Sequence, residues 1–302
     1  MNKVLKVIIG LIISIVLLYL LLFNIELEVI SNYLADISFE IIIVGFFIYL
    51  FMNLFRAARL KVLFPDISVK DILRITFIHN FFNNLLPVRT GELSHIYLIK
   101  KKKSYAHGVS SLFFLRFLDL LTVAIIFVVA LLFSQFVVSD FYTYIIWLIV
   151  LLAVILLAYI IFVNVNIKHK FVSKVQKTIK EYSYKKIFLA LFSTVGVWIF
   201  SFLLYYIIVQ DLSMNLSYFD IVIPTCLLIL STVLPISGLA GFGTMEGAWT
   251  LGLLYLGIPK AEGVSSGLII HILRIVYVVI LGGIGFLISK TDKNKRKILN
   301  RK

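Results

Sequence analysis

Six stretches of this chain are apolar for long enough to cross a lipid bilayer: residues 7–23, 41–60, 109–133, 141–163, 187–209 and 263–289. A hydrocarbon core of about 30 Å needs roughly 17 to 25 residues of helix, and each stretch meets that length. Inside hydrocarbon, backbone N–H and C=O groups must find partners within their own segment, which restricts lipid-spanning chains to helices or closed barrels. Runs this long and this continuous carry no alternation of period two, so the expected fold class is an all-α integral membrane protein with six crossings. The mean hydropathy of +1.06 and a hydrophobic share of 61% exclude an ordinary soluble domain. The first run follows Lys3 and Lys6 as a signal peptide would, but no small-residue cleavage pattern follows it, so it is expected to stay as the first helix.

The formal charge of +14 is concentrated at residues 100–103, 168–186 and 290–302. Lysine and arginine gather on the cytoplasmic side of membrane proteins, next to anionic inner-leaflet lipids. These clusters are therefore expected to meet the inner leaflet of the cell (cytoplasmic) membrane, with both termini cytoplasmic, and no nucleic acid is expected as a partner. The segment 168–186 alternates lysines with Phe171, Val172, Val175 and Ile179 and is expected to lie weakly amphipathic on that leaflet, while Arg56 and Arg59 are expected to reach headgroups. A single cysteine, Cys226, excludes an internal disulfide and any multi-cysteine metal site, and no cofactor or metal is expected. A homodimer is compatible with all of this.

Two further apolar regions, 72–99 and 219–257, are interrupted by proline and glycine. The basic ends flanking 72–99 both require the inside, and the ends of 219–257 both fall outside, between the acidic loops and the last helix. A straight crossing cannot start and finish on one side. Each region is therefore expected to be a re-entrant helical hairpin, the two entering from opposite faces. Helix, hairpin and helix then recur as an inverted repeat, about 40–134 and about 187–289, joined by the linking helix 141–163 and followed by the basic tail 290–302. The whole of 1–302 is expected to be one transmembrane domain. In transporters built this way, interrupted segments at corresponding positions mark a substrate site near the midplane.

The first hairpin tip reads "NNLLPVRTGE" (83–92) and the second "LPISGLAGFGTMEGAW" (234–249). Pro87, Gly91, Pro235, Gly241 and Gly243 are expected to shape the tips. Helices starting after Gly91 and Gly247 would aim free N–H groups and positive dipole ends at an anion. Arg89, Arg116 and Arg274 would add full charges where an arginine costs about 2.5 to 3.5 kcal/mol to insert, and phosphate is the ligand a guanidinium binds with paired hydrogen bonds. Each residue has a plainer reading too. Arg89 and Glu92 could staple the tip, Arg116 and Asp119 could pair along one helix, Glu92 and Glu246 could cap, and His271 could be a hydrogen-bonded neighbour of Arg274. Asn80, Asn83 and Asn84 could join helices or line a polar path. The expected substrate-binding set is Asn83, Asn84, Arg89, Glu92, Arg116, Asp119, Glu246, His271 and Arg274.

Enzyme motifs are missing: there is no H-E-x-x-H, no Walker A loop and no kinase set, and the glycines of "SGLAGFG" do not match a phosphate loop. An intramembrane serine protease using Ser237 and His271 is a minor alternative that lacks the usual G-x-S-G, since Pro235 stands at its first position. A channel would show a ring of like charge or a filter repeat, and neither is visible. A non-enzymatic transporter of an anionic solute or lipid is the expected class.

The two tips, together with "RFLDL" (116–120) and Arg274, resemble the flippase-like membrane region of bacterial lysylphosphatidylglycerol synthases across nearly the whole chain. The resemblance implies a protein that moves or handles lipids, as the membrane part of the synthases flips aminoacylated phosphatidylglycerol, and the expected partner is a membrane phospholipid or a polyprenyl-phosphate lipid. It also implies roles for Pro87, Arg89, Gly91 and Glu92 in one motif, Pro235, Gly241, Gly243 and Glu246 in the other, and Arg116, Asp119 and Arg274 on the helices. Two features depart from it. Ala240-Gly241 stands where the family commonly has two glycines, and the sequence carries no soluble aminoacyltransferase domain, so synthesis of the aminoacyl lipid is not implied.

Overall fold

The computed structural model describes residues 3–23, 25, 27–86, 91–136, 141–165, 167, 169–232 and 239–299. Within them lie twelve α-helices and no strand: α1 (Lys3–Leu22), α2 (Leu27–Asp36), α3 (Phe39–Leu63), α4 (Val69–Leu85), α5 (Glu92–Lys100), α6 (Tyr105–Phe133), α7 (Phe141–Asn164), α8 (Lys170–Lys180), α9 (Tyr184–Asp211), α10 (Tyr218–Ser231), α11 (Thr244–Tyr255) and α12 (Lys260–Leu299). Pro87, Arg89, Pro235 and Ser237 lie outside the described residues.

Serine starts five of these helices. The hydroxyls of Ser38, Ser68, Ser104, Ser183 and Ser217 accept backbone N–H bonds from the third helical residue of α3, α4, α6, α9 and α10, each satisfying a donor that the helix leaves free, for about 1 kcal/mol. Among the described residues, four helices are long and apolar enough to span a membrane: Phe39–Leu63, Tyr105–Phe133, Tyr184–Asp211 and the part of α12 from Lys260 to Ser289. Their outward faces carry exposed large apolar side chains, among them Phe47, Leu132, Phe192 and Leu287, which water would not tolerate in such number. The protein is a membrane protein.

Direct contacts define two ends of the bundle. At one end Lys103 bonds Asp66 (2.7 Å) and Lys102 bonds Asp71 (2.6 Å), joining the turn before α4 to the turn after α5. The Lys103 ammonium, by its hydrogen bond and then its charge, holds the exposed Asp66 carboxyl below the ordinary range. Between these ties His79 of α4 faces Ser94 and His95 of α5. So α4 and α5 run antiparallel, and the hairpin begins and ends beside the start of α6. At the far end of α6, Ser134 Oγ and the Gln135 N–H donate to Asp220 Oδ1 (2.6 and 3.1 Å), in the first turn of α10. Pro224, midway along α10, touches Gly252, three residues before the end of α11, so α11 runs back along α10 toward the end where α10 starts. Twenty-nine residues of α6, about 43 Å of helix, separate the starting points of the two hairpins.

The helix pairings repeat. α3 lies antiparallel on α9, with Ser38 bonded to Asp211 at one end and Phe51 and Phe55 stacked on Phe200 farther along. α4 packs on α12 as α10 packs on α6, α5 meets α6 as α11 meets α12, and α3 touches α4 as α9 touches α10.

Several sequence-based expectations change. The acidic stretch after α1 is not all loop, because α2 forms there and packs on α12. The α8 segment does not lay its apolar face on lipid: Val175 and Ile179 are buried against Ala106 and the side chains of α7, and Gln176 donates to the carbonyls of Phe162 and Val165. Its lysines stay on the opposite face, as the side chains of a two-faced helix must. The second tip helix begins after Gly243, not Gly247, and α12 continues unbroken through the basic stretch from residue 290 to Leu299.

Candidate functional site

A cavity of ≈ 460 Å³ opens between the two halves of the bundle, lined by α3, α4, α5 and α6 from one and by α9, α10, the turn 240–241, α11 and α12 from the other. The walls follow from helical periodicity. Tyr49, Met52, Arg56 and Arg59 recur every three or four residues and share one face of α3; Arg116, Asp119 and Val123 do the same on α6. On α4 the polar stripe consists of Thr76, His79, Asn80, Asn83 and Asn84.

Asp119 is the hub of the first half. Its carboxylate accepts from Arg59 Nη1 (2.5 Å) and Nη2 (3.4 Å) and from Trp198 Nε1 (3.1 Å), and Arg116 Nη1 stands 3.5 Å away. Arg116 makes its shorter ion pair with Glu92, at 2.7 Å, tying the start of α5 to the middle of α6. Arg56 donates to Asn80 Oδ1 (2.7 Å), and Asn80 Nδ2 donates to the Tyr49 hydroxyl (2.5 Å). Arg56 and Arg59 are thus not at headgroups. They lie on the α3 face that α4, α6 and α9 cover, where a guanidinium needs a partner. Asn84 Nδ2 donates to the Asn80 carbonyl and side chain, whereas Asn83 Oδ1 is buried with no hydrogen-bond partner among the described residues.

The second half is arranged differently. Arg274 lines the cavity with Nη2 2.8 Å from Met245 Sδ, its Nε has no hydrogen-bond partner, and no carboxylate among the described residues pairs with it. Glu246 and His271 sit behind the wall formed by Ala240, Gly241, Thr244 and Met245, bonded to each other at 2.6 Å. Arg116 and His271 each lie eleven residues beyond the first residue of their helix, and Asp119 and Arg274 each fourteen. Counted this way, the Glu92–Arg116 tie corresponds to the Glu246–His271 tie, and Arg274 falls at the position of Asp119.

Both tips depend on glycine. A Cβ at Gly91 would fall 2.3 Å from the Asn83 nitrogen, so only glycine lets the start of α5 press on the end of α4. Gly243 has φ +81, in the left-handed region, and Gly241 has φ +91. The helix N-termini expected to take an anion already carry the chain's own carboxylates in their first turns: Glu246 accepts the Gly243 N–H at 2.7 Å, and Glu92 turns to Arg116.

Arg56, Arg59, Arg116 and Arg274 line the cavity against Asp119 and Glu92, so among the described residues its arginines outnumber its carboxylates by two. Those described residues hold no group of three or more potential metal ligands. The sequence reasoning missed the cavity roles of Arg56, Arg59, Tyr49 and Trp198. The three- and four-residue spacing on α3 was the available signal.

Across residues 7–282 the sequence matches the family described as the lysylphosphatidylglycerol synthase TM region. Among curated proteins it is similar to the UPF0104 membrane protein MJ1595 of Methanocaldococcus jannaschii, at 25% identity with 98% of each chain covered.

Proposed function

The chain belongs to the lysylphosphatidylglycerol synthase TM region family, and from that premise we propose that it is a lipid translocase, moving a lipid with a phosphate-bearing, anionic headgroup across the cell membrane. The observation that carries this reading is the excess of arginine in a cavity shared by both halves, with Arg274 unmatched by any carboxylate among the described residues. Excess positive charge at membrane depth is costly unless an anion offsets it, and a guanidinium holds phosphate with paired hydrogen bonds. A cavity of ≈ 460 Å³ falls within the roughly 300–1,000 Å³ usual for ligand pockets, room for a headgroup while the acyl chains stay in the bilayer. Leu112, Leu115 and Leu120 on α6 extend the wall with apolar surface. We assign no catalytic step. Both ring nitrogens of His271 are engaged, by Glu246 and Ala240, which argues against its use as the base of a serine protease.

In this proposal α1, α3, α6, α7, α9 and α12 cross the membrane, and α4–α5 and α10–α11 are opposed re-entrant hairpins of an inverted repeat. The antiparallel hairpins starting at opposite ends of α6 support that plan. Placing the lysine-bearing end of the bundle in the cytoplasm puts both termini there and sets residues 100–103 and the α8 lysines against anionic lipid. Movement would come from one repeat rocking against the other around the cavity.

Native mass spectrometry of the purified protein, with released lipids identified, tests the substrate in wild type beside Arg274→Gln. Retention of one anionic phospholipid or polyprenyl phosphate, lost in the variant, is the expected result. Bulk lipid in membrane proportions, unchanged by the substitution, would refute it. Topology is tested in a Cys226→Ser background with a membrane-impermeant maleimide on intact cells. Cysteines at Asp66 and Lys101 should both be protected and one at Asn215 labelled. Opposite labelling of Asp66 and Lys101 would mean that the first hairpin crosses.

A further inference from the structure

Glu246 and His271 are each 1% exposed and are not used by the phosphate site. Glu246 Oε2 accepts the Gly243 N–H, and Oε1 lies 2.6 Å from His271 Nδ1. On the other side of the ring, Nε2 lies 3.1 Å from the Ala240 carbonyl oxygen, which can only accept. Nε2 therefore carries a hydrogen. Two bare lone pairs do not rest 2.6 Å apart, so a second hydrogen lies between Nδ1 and Oε1. The pair holds one removable proton.

We propose that Glu246 and His271 form a proton-binding site, with the proton as the ion whose arrival and departure close and open the cavity wall at residues 239–243. When the proton leaves to cavity water, one hydrogen remains for two contacts. Moved to Nδ1, it keeps a charge-assisted bond to the Glu246 carboxylate and leaves the Nε2 lone pair facing the Ala240 oxygen. The contact to Ala240 is the one that breaks. Ala240 and Gly241 line the cavity, and the other polar ties of this segment, Leu239 N–H to Ser14 Oγ and Thr244 Oγ1 to the Gly241 carbonyl, do not reach α12. Losing the proton thus removes the direct hydrogen bond from Ala240 to α12 and loosens the wall there, while Gly243 stays linked to His271 through Glu246 and the Phe242 ring lies 4.4 Å from the imidazole.

The neighbouring elements offer few other charges. α12 carries Arg274 one turn beyond His271, and Tyr277, whose hydroxyl donates to the Ile42 carbonyl. α3 contributes Tyr49 and Arg56 to the cavity wall, α4 His79, and α9 Tyr205. α10 carries Cys226, α1 meets the segment through Ser14 and holds Tyr19 exposed, and α2 meets α12 at its distant start, where Tyr33 bonds Glu262. Arg274 is the cation nearest along the helix. Without its proton the pair is an anion that competes with phosphate for this guanidinium. Proton and lipid phosphate therefore favour each other's binding, and the linkage is reciprocal. That coupling rests on the translocase reading; the proton site does not.

Glu246→Gln separates the two. Its amide oxygen can accept the Gly243 N–H and its NH₂ can donate to Nδ1, so both contacts persist with no removable proton. In the full chain with Cys226→Ser and Leu239→Cys, in lipid nanodiscs, maleimide labelling rates are measured from about pH 5 to about pH 9. The ratio of the chain with native Glu246 to the one with Glu246→Gln cancels the thiol's own ionisation. It is expected to be near one in acid and to climb by up to about tenfold per pH unit as the proton leaves. A flat ratio overturns the proposal. If Glu246→Gln does not fold, the exposed site Asn215→Cys in the native-Glu246 background serves as the reference thiol. In proteoliposomes with fluorescent phosphatidylglycerol, the wild type is expected to move lipid faster under a pH gradient and Glu246→Gln to ignore the gradient. Lipid movement indifferent to the gradient in wild type overturns the coupling and leaves translocation standing. No movement at all, with pH-dependent labelling intact, overturns the translocase reading for this lipid and supports the proton site alone.

Discussion

Asp119→Leu removes a carboxylate shared by side chains from three helices. In the native protein Arg59 bonds it at 2.5 and 3.4 Å, Trp198 at 3.1 Å, and Arg116 lies at 3.5 Å. After the change, Arg59, whose side chain is 11% exposed, keeps only a 3.5 Å contact to Thr194 Oγ1. An uncompensated buried charge costs about 3–5 kcal/mol, and the orphaned indole N–H adds about 1 kcal/mol. Arg59→Met is expected to cost less, about 2 kcal/mol, because Asp119 keeps Trp198 and Arg116. Removing both partners together is expected to be nearly neutral apart from the Trp198 N–H, so the double variant should be more stable than Asp119→Leu alone. The assay is reversible unfolding of all three variants in bicelles, analysed as a double-mutant cycle. Single variants that each cost less than about 1 kcal/mol would refute the reasoning, since they would mean that cavity water already screens the pair as at a surface. A double variant no better than Asp119→Leu would refute it as well.

Other outcomes follow from particular contacts. Gly252→Ala sets a Cβ 2.4 Å from the Pro224 Cα and should destabilise the second hairpin by about 1–3 kcal/mol, whereas Gly283→Ala, with nothing within 4 Å, should be neutral or gain up to about 1 kcal/mol; thermal unfolding in detergent compares them. Asp220→Ala leaves Ser134, Gln135 and Ser217 without their shared acceptor and should cost more than the roughly 1 kcal/mol of an ordinary N-cap, measured the same way. Arg274→Gln should weaken retention of an anionic lipid by roughly 10- to 100-fold, the worth of a charge-assisted hydrogen bond, with little effect on unfolding because the arginine has no carboxylate partner to abandon. Equal losses of stability and lipid retention would make it a structural residue.

The sequence by itself determined the material of this fold. Long apolar runs had to become helices because hydrocarbon leaves backbone groups no other partner, and serine before a run marked where α3, α4, α6, α9 and α10 begin. Proline and glycine marked the two interrupted regions, and the structure folds each into an antiparallel helix pair, the two starting near opposite ends of α6. Arg116, Asp119 and Arg274 stood out because polar groups are rare in such runs, and all three line the cavity. What the tertiary structure decided is which polar groups meet. Composition assigned Arg56 and Arg59 to headgroups, yet helix packing turned their face inward to Asn80 and Asp119. Helical spacing relates residues three or four apart on one helix, but says nothing about which residue 25 positions away comes within 2.6 Å, so the Glu246–His271 tie was invisible until α11 had docked on α12. The same docking matched Glu92–Arg116 to it and left Arg274 without a carboxylate among the described residues, because pairing across helices depends on how their faces are rotated against each other, and that is settled only when the helices pack.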